Sequence, residues 1–180
     1  AHGASGSSDR ALGSLQSGGL ASTFGASFVN NIGSTINSLQ IAYVGEQWRL
    51  GTAGRLDKLD FQYSLDGTTW INVDQLDFIA PLTVTPLGAK DGNAAGNRTS
   101  LTFDITGLSI AAGTQFWIRW VDFDASGAED GLGVDDFSLT AFAAPPSAGD
   151  LSIGDVTLAE GDAGTTSFTF TVTRANGSAG

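Results

Sequence analysis

The chain has 180 residues, with 8 Lys and Arg against 19 Asp and Glu and a net charge of −11. That balance argues against direct binding to a nucleic-acid backbone, which needs clustered cations to displace counterions, and against attraction to an anionic membrane. No Cys is present, so disulfides and thiolate metal sites are excluded, while 41% hydrophobic residues, 11 Phe among them, are enough to bury a core.

Gly contributes 25 residues and charged side chains only 15%, a mixture suited to many short strands joined by tight turns. Neither a secretory leader nor an apolar run of transmembrane length is visible, and Met is absent. The expectation is a piece of a longer, exported chain that does not insert into a membrane.

Residues 1 to 20 are rich in Gly, Ser and Ala and read as poorly ordered by themselves. From Ser22 the pattern has period two: Phe24, Ala26 and Phe28; then Leu39, Ile41 and Tyr43; then Leu59, Phe61, Tyr63 and Leu65; then Leu101, Phe103 and Ile105. Such alternation marks strands with one buried face. Asn30, Asn31 and Gly33 form a turn, and Asp66-Gly67 predicts a hairpin leading into a strand with Trp70 and Val73. The stretch from Gln115 to Asp124 is apolar on both faces. Phe116, Ile118 and Trp120 point one way and Trp117, Arg119, Val121 and Phe123 the other, so it reads as a central strand with Trp117 and Trp120 in the core. Another strand is expected over Val134 to Phe142.

No segment carries a helical stripe. The fold class is therefore all-β, an antiparallel jelly-roll-like β-sandwich over residues 1–142. Residues 143–149 contain two adjacent Pro and read as a linker. A new strand pattern covers Leu151 to Leu158, followed by Phe168, Phe170 and Val172. Residues 150–180 are too few to close a sandwich, so their edges are expected to be mobile or to pair with neighbouring domains of the same chain.

Two resemblances follow from particular motifs. Leu151-Ser-Ile-Gly-Asp-Val-Thr-Leu-Ala-Glu-Gly-Asp162, followed by Thr166-Ser-Phe-Thr-Phe-Thr-Val-Thr173, resembles the opening strands of a Calx-beta domain. The resemblance implies an immunoglobulin-like segment, incomplete here, in which Glu160 matches a calcium ligand of some members. Residues 9 to 142 are similar to a module of large bacterial surface and secreted proteins, including extracellular nuclease-like chains and anchored surface proteins. The motifs are Asp9-Arg-Ala-Leu-Gly-Ser-Leu15, Tyr43-Val-Gly-Glu-Gln-Trp-Arg49, Leu59-Asp-Phe-Gln-Tyr-Ser64, Asp91-Gly-Asn-Ala-Ala-Gly-Asn-Arg98, Phe116-Trp-Ile-Arg-Trp120 and Asp130-Gly-Leu-Gly-Val-Asp-Asp-Phe137. The ending of the last is also similar to jelly-roll adhesion and carbohydrate-binding modules. These likenesses imply a secreted or cell-surface setting.

Asp122, Asp124, Glu129, Asp130, Asp135 and Asp136 fall within 15 residues. Asp122 and Asp124 are two apart on an expected strand, so their carboxylates face the same side. Asp135 and Asp136 open the next strand and face opposite sides, and one of them approaches Asp122 and Asp124 if the two strands pair. Calcium takes six to eight oxygens at about 2.3–2.6 Å, and Gly127, Gly131 and Gly133 allow carbonyls to turn inward. Asp122, Asp124, Asp130, Asp135 and Asp136 are thus candidate calcium ligands. The same composition also describes a solvated acidic turn. An EF-hand loop from Asp122 fails, with Ser126 and Gly133 where ligands belong.

Asp91, Asn93 and Asn97 offer a second set of oxygens or an ordinary loop. Trp48 and Trp70, each beside polar residues, are candidates for stacking on a polysaccharide, against the alternative of core packing. The only His is His2, so a Ser-His or Cys-His arrangement is not credible, and no carboxylate pair stands out as catalytic. The expected function is a non-catalytic structural and adhesive module of a secreted or surface protein, calcium-stabilised and glycan-binding. The alternative is an accessory region of an extracellular enzyme such as a nuclease.

Overall fold

The computed structural model describes residues 1–16, 20–143, 149–159 and 161–176. The chain divides into two compact units, Ala1–Ala143 and Ala144–Gly180. Residues 144–148, which hold most of the expected linker, lie outside the described residues.

The described residues of the first unit form ten strands: β1 (Leu12–Leu15), β2 (Thr23–Val29), β3 (Ile36–Leu50), β4 (Lys58–Ser64), β5 (Ile71–Asn72), β6 (Phe78–Ile79), β7 (Gly88–Ala89), β8 (Arg98–Ile105), β9 (Gln115–Asp122) and β10 (Gly131–Ala143). They form two antiparallel sheets. One runs β1-β10-β3-β7, with β8 also paired to β3; the other runs β2-β9-β4-β5, with β6 also paired to β4. Helix among the described residues is confined to two short 3₁₀ turns, Asp74–Leu76 and Ala95–Asn97.

Alternation decides which side chains meet between the sheets. Leu39, Ile41 and Tyr43 of β3 and Leu132 and Val134 of β10 face Leu59 and Phe61 of β4 and Phe116, Ile118 and Trp120 of β9 in one buried cluster. Trp120 is the hub of that core. It meets Tyr43, Phe61 and Phe137 edge-on at 5.3, 5.4 and 5.6 Å between centroids and stacks on Phe24 at 5.7 Å. The Tyr43 hydroxyl donates to the Leu76 carbonyl, which satisfies it in an apolar setting. The architecture is a β-sandwich, as the alternation predicts.

Four local readings are corrected. The N-terminal stretch is not unstructured: Leu12–Leu15 pairs with the opening of β10, and His2 bridges Ala11. The Asp66-Gly67 dipeptide sits in a six-residue connection rather than a two-residue hairpin. The side chain of Asp66 explains this, because Oδ1 accepts the backbone N–H groups of Thr68 and Thr69 at 2.7 and 2.6 Å and builds a wider turn. Trp117 faces outward on β9 and is only partly buried, whereas Trp120 is core.

Finally, β9 and β10 do not pair. The loop between them crosses from one sheet to the other, and β10 pairs with β3 and β1. Within β10 a bulge falls between Asp135 and Ser138, opposite Tyr43, with Asp136 at φ +50°. The inserted residue resets the alternation, so that Phe137 and Leu139 continue the inward face begun by Leu132 and Val134.

In the second unit, β11 (Asp150–Ile153) pairs antiparallel with β12 (Val172–Ala175), Leu151 opposite Arg174 and Ile153 opposite Val172. Both strands are shorter than the apolar pattern predicts. Leu151, Ile153, Phe168, Phe170 and Val172 are exposed, as expected of a two-stranded ribbon with no further strand to bury its apolar face among the described residues. No helix among the described residues is long and apolar enough to cross a membrane.

Candidate functional site

The acidic loop is built around a cation supplied by the chain itself. Asp57, just before β4, and Asp130, just before β10, face each other at one end of the sandwich. The Asp130 N–H donates to Oδ2 of Asp57 at 3.0 Å, and the Lys58 N–H to Oδ1 at 2.9 Å. Arg55 sits against the same oxygens. Its Nη1 is 3.1 Å from Asp57 Oδ2, and its Nη2 is 3.5 Å from Glu129 Oε2 and 3.8 Å from Asp130 Oδ1. The same Nη2 donates to the Ala128 carbonyl at 2.5 Å.

Asp130 is 2% exposed and its carboxylate is fully engaged, accepting from Gln47 Nε2 at 2.6 Å and from the Gly51 N–H at 2.7 Å. Gly51 is required here, because a Cβ at this position would stand 2.1 Å from the Ala128 carbonyl oxygen. Asp122, at the end of β9, is 1% exposed and points inward. It accepts the Ser14 hydroxyl at 2.8 Å through Oδ2, while Oδ1 finds no hydrogen-bond partner among the described residues.

Electrostatics follow from this crowding. Burial raises the Asp122 carboxyl to about 6, the Ser14 hydroxyl opposing and the nearby Asp57 and Asp130 charges adding. Burial also pushes Glu129 up to about 7, reinforced by its contact with the Asp57 carboxylate and countered by Arg55. Asp130 is raised by burial and held back first by the Gly51 N–H. One guanidinium cannot balance four carboxylates, so the cluster favours holding protons near neutrality.

Asp122 and Asp130 are therefore brought into one cluster, but with Asp57, Glu129 and Arg55. Asp124 is not part of it: β9 ends at Asp122, the N–H of Ala125 turns back to the Phe123 carbonyl, and Asp124 lies exposed on an open cleft of about 510 Å³ with Gln16 and Arg49. Asp135 and Asp136 lie in the other sheet. Burial raises the Asp135 carboxyl, with the nearby Asp9 adding to it, and Asp136 is exposed on the bulge. The expected approach of Asp135 or Asp136 to Asp122 does not occur, because the strands that carry them are not neighbours. Glu160 lies outside the described residues.

Calcium needs six to eight oxygens converging on one point. Here the guanidinium of Arg55 occupies the place between Asp57, Glu129 and Asp130, and no group of three or more His, Cys, Asp or Glu among the described residues is arranged to hold a metal. Among the described residues, the oxygens of this cluster converge on the Arg55 guanidinium. Asp91, Asn93 and Asn97 likewise satisfy one another: the Asn93 N–H donates to Asp91 Oδ1 at 3.1 Å and Asn97 Nδ2 to the Asp91 carbonyl at 2.7 Å.

Of the two Trp candidates, Trp48 is 9% exposed. Its indole N–H donates to Glu46 at 2.9 Å, His2 stacks on its ring, and Gly92 packs against it closely enough that a Cβ there would lie 2.3 Å from the indole. A sugar has no free face to meet. Trp70 is different: it lies partly exposed on the outer face of the β2-β9-β4-β5 sheet, with the Arg119 guanidinium 3.7 Å from its ring centroid. Sequence reasoning missed Arg55, Asp57 and Arg119 as site residues. The one available signal was scarcity, since a chain with only 8 Lys and Arg against 19 Asp and Glu gives each Arg many possible acidic partners.

No family model, curated protein or solved structure matches this chain.

Proposed function

We propose that the chain is a non-catalytic structural and adhesive module of a large secreted or cell-surface protein, with its acidic end held together by Arg55 and by protons on the raised carboxylates rather than by calcium. The observation that carries this reading is the closure of the acidic cluster. Asp122 and Asp130 are 1% and 2% exposed, and Asp57 at 1% is tied to Arg55. Carboxylates with raised proton affinity are what acid–base catalysis uses, but these are turned into the sandwich and spent on holding loops together. The open cleft beside them presents Asp124 without a basic partner among its lining residues other than Arg49, whose guanidinium is already bonded to the Glu129 carbonyl. The motif resemblance to bacterial surface modules supports the setting.

The test is retention without turnover. The full chain is incubated with insoluble and gel-embedded polysaccharides and with DNA and RNA. The reading expects retention on at least one polysaccharide, with no release of reducing ends or nucleotides. Turnover of any of these polymers that tracks the purified chain and is lost on Asp122→Asn overturns it.

A further inference from the structure

The outer face of the β2-β9-β4-β5 sheet carries a hydrogen-bonded row of polar side chains whose amide oxygens are taken up within the row, leaving spare N–H donors. Cross-strand register places Gly25, Arg119, Gln62 and Asn72 side by side on β2, β9, β4 and β5. Arg119 Nε donates to Gln62 Oε1 at 2.7 Å, and Gln62 Nε2 donates to Asn72 Oδ1 at 2.7 Å. Both side-chain carbonyl oxygens are thereby occupied. Among the described residues no hydrogen bond engages the two Nη groups of Arg119 or the Asn72 Nδ2. Arg119 has no ion-pair partner among the described residues, although acidic residues outnumber basic ones 19 to 8.

Aromatic rings flank this row. Trp70 lies under the guanidinium and Trp117 stands on the next outward position of β9, across from Ser27. Gly25, opposite Arg119, adds no side chain, and the result is a trough of about 320 Å³ lined by Thr23, Gly25, Ser27, Trp70, Trp117 and Arg119. Indole faces take the apolar face of a pyranose ring, and a planar guanidinium takes a carboxylate through two parallel N–H bonds.

From this juxtaposition we infer that the trough binds a carboxylated polysaccharide, a sugar ring lying against Trp117 and its carboxylate meeting Arg119, which Trp70 supports from beneath. Charge decides between polymers. A nucleic acid presents a phosphate at every step and needs several cations in a line, whereas this face offers one. A uronate polymer also carries one charge per residue, so the trough is sized to a single ring, whose one carboxylate meets the one cation while its apolar face meets an indole. Repulsion from the acidic remainder of the protein is screened beyond about 8 Å at physiological ionic strength, while the direct pair is not. The inference rests on the adhesive reading and supplies its ligand class.

The experiment uses the full chain with polygalacturonate, neutral amylose, dextran sulfate and a single-stranded oligonucleotide, following retention and tryptophan fluorescence. The expected result is binding to polygalacturonate above the other three. Arg119→Met, which keeps the apolar stem over Trp70, is expected to weaken it about tenfold, the loss of one charge-assisted pair. Arg119→Lys falls between the two, because charge is kept and the planar fork lost. If Arg119→Met fails to fold, quenching of wild-type tryptophan fluorescence by galacturonate oligomers, with none by amylose oligomers, tests the same point. Tighter binding to dextran sulfate or the oligonucleotide overturns the carboxylate assignment. Retention on amylose unaffected by Arg119→Met overturns the site and leaves the adhesive reading standing. Retention on no polysaccharide overturns both.

Discussion

Arg55 and Asp57, two residues apart in sequence, form a nearly buried ion pair of 3.1 Å whose carboxylate oxygen also accepts the backbone N–H of Asp130. A single oxygen thus ties the loop before β4 to the turn before β10. Removing the cation leaves Asp57, Glu129 and Asp130 buried without a counter-charge. Breaking a buried pair from one side costs about 3–5 kcal/mol. Arg55→Met is therefore expected to lose stability of that order at pH 7 in a urea titration, and less at pH 5, where Glu129 and Asp122 carry protons.

The pH dependence of the unaltered chain has a definite sign. Asp122 rises from 3.8 to about 6 on folding and Glu129 from 4.5 to about 7, in both cases chiefly because burial disfavours the charge. The folded state holds these protons more tightly than the unfolded chain. Their contribution to stability is fully present below about pH 4 and is lost as pH rises through 6 to 7. Asp66 opposes them at the acid end, since its bonds from the Thr69 and Thr68 N–H groups lower its carboxyl and that support vanishes on protonation. Thermal unfolding is expected to give the highest Tm near pH 4–5 and a decline toward pH 8.

Asp122→Asn isolates one group in that profile. The amide keeps an oxygen for the Ser14 hydroxyl and removes the charge that Asp57 and Asp130 repel. The variant is expected to match the wild type near pH 4 and to exceed it above pH 7 by about 1–3 kcal/mol, since each tenfold gain in proton affinity on folding corresponds to about 1.4 kcal/mol. A parallel decline of both proteins across that range contradicts the assignment.

Core packing gives a fourth expectation. A Cβ on Gly45 of β3 would stand 2.2 Å from the ring of Phe78, a side chain with no exposure. Gly45→Ala has to displace that ring and is expected to cost about 1–3 kcal/mol, read as a lower urea midpoint with an unchanged slope.

Much of the sandwich was legible because alternation reports burial directly. Leu39, Ile41 and Tyr43, Leu59 and Phe61, and Phe116, Ile118 and Trp120 all face inward as their spacing predicts. The placement of Trp117 failed for the same reason in reverse: an apolar residue on the outer face of a strand looks like core when that strand is read alone. The acidic site was half legible. Local acid density drew attention to Asp122 and Asp130, but Arg55 and Asp57 come from more than 60 residues away with no local signature. The larger error was topological. Consecutive strands pair often, and β9 and β10 instead belong to different sheets, so Asp135 never reaches Asp122. The bulge after Asp135 was invisible because only the partner strand reveals that Tyr43 faces an inserted residue.

Arg55 and protons on the raised carboxylates, rather than calcium, are proposed to hold the acidic end of the sandwich together. Calorimetric unfolding of the wild-type chain at pH 7, once with chelator and once with millimolar calcium, tests this most directly. The same Tm in both is the predicted result. A calcium-dependent rise of several degrees, abolished by Asp122→Asn, contradicts it.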